Sequence, residues 1–139
     1  MISKILHSKR GDDTYISTVV FVLVAVIFIS FTINLFSVIS AKQQLDTAAD
    51  QLTRQIQLSG EVNADTDALF ESICGRIRSA EDVRYEVTTT YLTGKKIQLG
   101  TPFSVRVTAR AYIGGFGDFG LFPVTLVSQG AGVSEEYWK

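Results

Sequence analysis

The residue types that could do chemistry are few in this chain, and they stand far apart. There is one cysteine, Cys74, and one histidine, His7. A nucleophilic thiol needs a base beside it, yet a long apolar run, residues 15–39, separates the two. Cys74 falls among Leu69, Phe70, Ile73 and Ile77 at helical spacing, where a free cysteine packs as a small hydrophobe. His7 reads as a solvated or headgroup-facing side chain. No spacing pairs carboxylates for acid–base work, and no set of His, Cys, Asp and Glu has metal-ligand spacing. The glycines between Gly114 and Gly120 do not precede a helix in a βαβ unit, so a phosphate cradle fails on context. No catalytic residue, cofactor or metal is expected, and the chain reads as non-enzymatic. Its net charge of -1 leaves no basic footprint for nucleic acid.

The remaining candidates are contact surfaces. Ser30, Asn34 and Ser37 follow i, i+4, i+7 spacing, which sets them on one helical face inside the apolar run. Small and amide side chains on such a face let a second membrane helix approach and bond across the contact. The competing reading is a bond back to the helix's own carbonyls. For Ser30 and Ser37 both readings stand; for Asn34 a partner is expected, because an unpaired amide is costly in lipid. Phe116 and Phe119 alternate with glycines in the loop 114–122. They either cap the chain's own core or face a neighbour or the membrane surface. Tyr137 and Trp138 form an amphipathic aromatic pair near Lys139, which docks or contacts a partner.

Several elements must position these surfaces. Residues 15–39 carry no charged side chain over a length that crosses a bilayer as a helix. The run is long for a secretory signal and continues in helical period, so a retained anchor is expected. Residues 1–14 form a basic leader with Lys4, Lys9 and Arg10, which favours a cytoplasmic N terminus. Residues 40–60 continue the helix, with Ala41, Leu45, Ala48, Ala49, Leu52 and Ile56 as one apolar stripe in line with the Ser30–Asn34–Ser37 face. One helix of about 45 residues, roughly 65 Å, would then leave the membrane unbroken.

Residues 61–139 are expected to form an extracytoplasmic α+β domain. Gly60 ends the long helix, and Asn63, Asp65 or Thr66 caps a second one. Alternation predicts strands over Val83–Tyr91, Phe103–Ile113 and Pro123–Val133, with Lys96–Leu99 starting back after a turn at Thr93-Gly94-Lys95. The fold class is a long helix on a small antiparallel sheet of three or four strands.

A basic leader ending in Gly, an unbroken apolar helix, an amphipathic continuation and a small C-terminal sheet resemble a type IV pilin or pseudopilin. Lys9-Arg10-Gly11 before the span and Ala41 to Ala49 after it (AKQQLDTAA) resemble the TadE-like minor pseudopilins of tight-adherence pilus machinery. The Gly/Phe loop and the ending Tyr-Trp-Lys also resemble uncharacterised Gram-positive membrane proteins related to that group. The resemblance implies a pilin-like subunit of a pilus, secretion or DNA-uptake apparatus. Its implied partners are the membrane, other pilin-like subunits, a secretion ATPase and platform complex, and a prepilin peptidase cutting between Gly11 and Asp12. Prepilins of this kind carry Glu five residues after the cleavage glycine. Here that position is Ile16, which fits a minor, initiating or unprocessed subunit. The alternative is a stand-alone membrane-anchored binding or envelope module.

Overall fold

The computed structural model describes residues 2–114 and 122–139, with side chains described from residue 13 onward. The first helix, α1 (Ile2–Ser59), runs without interruption from the leader through the apolar run and into the domain. Its two halves live in different surroundings. An 18-residue apolar window in it has none of its residues buried, so this half has no protein core of its own. From Ala41 on, the side chains at Ala41, Leu45, Ala48, Ala49, Leu52 and Ile56 are at most 1% exposed. A helix uncovered over an apolar length and then covered along one stripe fits a single-pass membrane protein.

Gly60 stops α1 by adopting φ +65 while its N–H returns to the Ile56 carbonyl at 2.8 Å. A side chain there would meet Glu136 and Trp138 at 2.5 and 2.9 Å, so both backbone and space call for glycine. The second helix, α2 (Ala64–Cys74), begins at Asn63, whose side chain accepts from the Thr66 N–H at 3.1 Å. Thr66 is itself fully buried. Of the expected apolar side of α2, Ile73 and Ile77 beyond its end are buried, while Leu69, Phe70 and Cys74 are half-buried.

Three strands follow: β1 (Glu81–Thr89), β2 (Pro102–Ile113) and β3 (Phe122–Val133), in the order β1-β2-β3 with both pairings antiparallel. The fold is α+β, with α1 lying across β2 and β3. Phe103, Val105, Val107, Ala109 and Ala111 on β2 point into the core, and Leu126 does so from β3. Ser104, Arg106, Thr108 and Arg110 take the other face, as period-2 alternation requires. Lys96–Leu99 does not build a fourth strand. Gly94 and Gly100 bracket it with φ of 61 and 78, leaving too short an extended stretch for a ladder. It makes isolated bridges with Glu61 and Thr93 instead, and Ile97 is driven fully into the core.

The chain directions follow from contacts between α1 and β3. Ser128 Oγ donates to Asp46 Oδ1 at 2.5 Å, and the Glu135 N–H reaches the Gln57 carbonyl at 3.0 Å. Between them, Gly130 lies against Ala49 and Thr53, and Gly132 against Thr53 and Gln57. Moving along β3 from Ser128 to Val133 thus climbs α1 from Asp46 to Gln57. Both elements run the same way, away from the apolar half of α1.

Candidate interaction surfaces

The polar face of the apolar half is present on α1 but is partly used internally. Asn34 Nδ2 donates to the Ser30 carbonyl at 2.9 Å, taking up one of the amide's two donors. Thr18 and Thr32 make the same kind of bond, to Thr14 and Phe28. Ser30 and Asn34 are half-shielded by neighbouring side chains, and Ser37 is exposed. The face leads directly into the buried stripe, since Val38 packs partly against the core and Ala41 is fully covered.

Asp46 marks where α1 meets the sheet. Its carboxylate accepts from Lys42 Nζ one turn below and from Ser128 on β3. These two hydrogen bonds, with the Lys42 charge, hold its carboxyl below the usual carboxylate range. On α2, Tyr85 reaches over from β1 and donates its hydroxyl to Asp67. Burial, and then that bond, push the Tyr85 phenol well above its ordinary value. Burial and the neighbouring Glu71 raise the Cys74 thiol, which makes it a poorer nucleophile near neutral pH. Among the described residues no three His, Cys, Asp or Glu side chains gather as a metal site.

The aromatic tail divides. Trp138 docks on the chain's own domain: its indole N–H donates to the Gly60 carbonyl at 3.1 Å, and Lys96 Nζ stands 4.1 Å from the ring centroid. Gln98 clamps its backbone, accepting from the N–H at 2.9 Å and donating to the carbonyl at 3.0 Å. Of the expected partner pair, then, only Tyr137 keeps its ring in solvent, at 62% exposure. Phe116 and Phe119 lie outside the described residues, as does the side chain of Asp12 beside Gly11.

Two features were not foreseen from sequence. A polar cleft of about 310 Å³ lies between α1 and α2, lined in part by Ser40, Gln43, Gln44, Thr47 and Arg76. Gln44 Oε1 is buried there without a hydrogen-bond partner among the described residues. The other is Phe122, the first residue of β3, which is 68% exposed although it continues the core-facing side of its strand.

A family comparison covers most of this architecture, from within the apolar helix through the sheet to the tail: residues 22–139 match the family described as Domain of unknown function (DUF4320). The chain belongs to the DUF4320 family. Neither a curated protein nor a solved structure matches it. The matched region begins inside α1, so residues 22–39 of the apolar run and the sheet-bearing domain of this DUF4320 chain fall within one match.

Proposed function

We propose that this DUF4320 chain is a membrane-retained, non-enzymatic assembly subunit, similar to the TadE-like minor pseudopilins, in a pilus, secretion or DNA-uptake apparatus. The observation that carries this reading is the division of α1. Its apolar half is uncovered, while its other half is sealed against the sheet along a stripe continuous with Ser30, Asn34 and Ser37. A uniformly apolar anchor would hold a domain at a membrane equally well. A polar side in line with the domain suits lateral contact between membrane helices. With Lys4, Lys9 and Arg10 before the span, the N terminus is cytoplasmic and residues 42–139 lie outside. The working partners are other pilin-like subunits, with a secretion ATPase and platform complex behind them.

A second reading, a stand-alone anchored module of the envelope, is favoured by one observation. Ile16 stands where filament-forming prepilins carry their assembly glutamate. Gene neighbourhood and membrane cross-linking separate the two. The assembly reading expects a secretion ATPase and a polytopic platform protein encoded alongside, with the platform protein cross-linking to this chain in native membranes. A chain encoded apart from such genes, and cross-linking to neither protein, would be the stand-alone module.

A further inference from the structure

We infer, on the reading of α1 as a retained membrane span, that the cleft between α1 and α2 holds the headgroup of an anionic phospholipid with a free hydroxyl, of the phosphatidylglycerol type.

The cleft is built by the way α2 returns along α1. Gly60 ends α1 and Asn63 starts α2, yet Ile73, Arg76 and Ile77, at and beyond the other end of α2, line the same cleft as Ser40, Gln43 and Gln44. The second helix therefore runs back toward the apolar half, and the chain leaving it overhangs the point where that half ends. The uncharged run stops at Ile39. At about 1.5 Å per residue, Ser40 stands directly above that point and Gln44 roughly 7 Å above it. The headgroup layer on each side of the hydrocarbon is about 5–8 Å deep. The lower part of the cleft thus opens within it.

The lining selects the chemistry. Among the described residues it carries one charged side chain, Arg76, and no carboxylate. Arg76 is exposed and takes no part in the ion pairs of the described residues, which join Lys42 to Asp46 and Arg110 to Asp82. An anion is favoured there, and a guanidinium suits the paired oxygens of a phosphate. Gln44 Oε1, buried with no partner among the described residues, is an acceptor in want of a donor, since a buried polar atom left unpaired is costly. The oxygens of a phosphate diester only accept, whereas a headgroup hydroxyl donates. An ammonium headgroup would set its cation beside Arg76 with no carboxylate to offset it. Ser40, Thr47 and Gln51 add hydroxyls and an amide along the wall, and the volume of about 310 Å³ is that of a small-ligand site.

This site and the proposed helix contact do not compete. At about 100° per residue, the polar cleft residues of α1 centre roughly 90° around the helix from Ser30, Asn34 and Ser37. A lipid head on one side leaves the other free for a second helix.

The test uses the full chain. Detergent-solubilised protein is titrated with short-chain phosphatidylglycerol or phosphatidylcholine, and bound lipid is counted by native mass spectrometry. Phosphatidylglycerol should bind at least about tenfold more tightly than phosphatidylcholine. Arg76→Gln should weaken it about tenfold and Gln44→Leu about fivefold, the worth of a charged and of a neutral hydrogen bond. Arg78→Gln changes an exposed arginine outside the cleft and should leave binding unchanged. The variants should unfold at the parent's temperature without lipid; if Gln44→Leu does not, the arginine pair decides alone. Equal binding of the two lipids, equal losses in Arg76→Gln and Arg78→Gln, or full binding by a folded Gln44→Leu would each overturn the inference. Displacement by glycerol 3-phosphate at equal concentration would make a soluble phosphate ester the ligand, and overturns it as well. Flotation with vesicles of phosphatidylcholine alone checks the span separately. A chain that floats and resists alkaline extraction, yet shows no preference for phosphatidylglycerol, keeps the span and loses the site. A chain stripped from the vesicles loses both.

Discussion

Gly130 offers the sharpest test of how α1 and the sheet are fitted together. A Cβ built there would lie 3.1 Å from the Ala49 carbonyl oxygen, 3.3 Å from Thr53 Cβ, and closer still to Thr53 Oγ1. Thr53 is buried and its hydroxyl donates to the same Ala49 carbonyl at 2.7 Å. Gly130→Ala must therefore either turn Thr53 away from its bond or push α1 off β3. Overpacking of this kind costs about 1–3 kcal/mol. For a folded domain of this size, each kcal/mol lowers the melting temperature by about 4–8 °C. Thermal unfolding of the full chain in detergent can be followed through Trp138, the sole tryptophan, whose indole is docked at Gly60. The partner substitution gives the diagnosis. Thr53→Ala removes both Oγ1 and Cγ2, so the double variant should regain at least about 0.5 kcal/mol over the additive sum, as touching residues do. Thr53→Ser keeps the offending hydroxyl and should rescue far less. A neutral Gly130→Ala, or strictly additive losses with Thr53→Ala, would refute the close approach.

Leu52 is fully buried between α1 and the sheet, so Leu52→Ala should cost about 2–5 kcal/mol in the same unfolding measurement. The depressed carboxyl of Asp46 stabilises the fold above its unfolded value near 3.8, and that contribution is lost as pH falls through the lower folded value. Asp46→Asn should accordingly flatten the acid limb of the stability–pH curve below about pH 4 and leave its shape near neutrality unchanged. Mass spectrometry of the chain recovered from membranes should give an N terminus at Met1 or Asp12. One beyond Ile39 would mean that the apolar run is a removed signal and not an anchor.

Much of the fold is legible in the sequence because burial leaves a period. Leu45, Leu52 and Ile56 recur at helical spacing and all lie against the sheet; Val105 and Val107 alternate with Arg106 and do the same from β2. Of the three cap candidates legible in the sequence, Asn63, Asp65 and Thr66, it is Asn63 whose side-chain oxygen starts α2. What stayed hidden depends on contacts far apart in the chain. Gly130 and Gly132 read locally as weaknesses in a strand, whereas they make room for Thr53 and Phe103. Ile97 looked like part of a fourth strand, yet it is a core plug held by its N–H bond to the Gly60 carbonyl at 2.6 Å. Whether Trp138 docks or meets a partner stayed open in the sequence, because nothing near it in the chain reveals Gly60, Gln98 and Lys96 as its seat.

The central claim is that the span is an assembly helix with one contact side, and cysteine cross-linking tests it most directly. Single cysteines are scanned from Ser30 to Ser37 in a Cys74→Ser background, in membranes. Cross-links should peak at Ser30, Asn34 and Ser37 and fall away at Phe31 and Leu35. Asn34→Leu should weaken association by about 1 kcal/mol, the worth of a polar contact between membrane helices, while leaving insertion and the domain's fold intact. Cross-links equal at every position, or confined to the Phe31 and Leu35 side, would contradict the account.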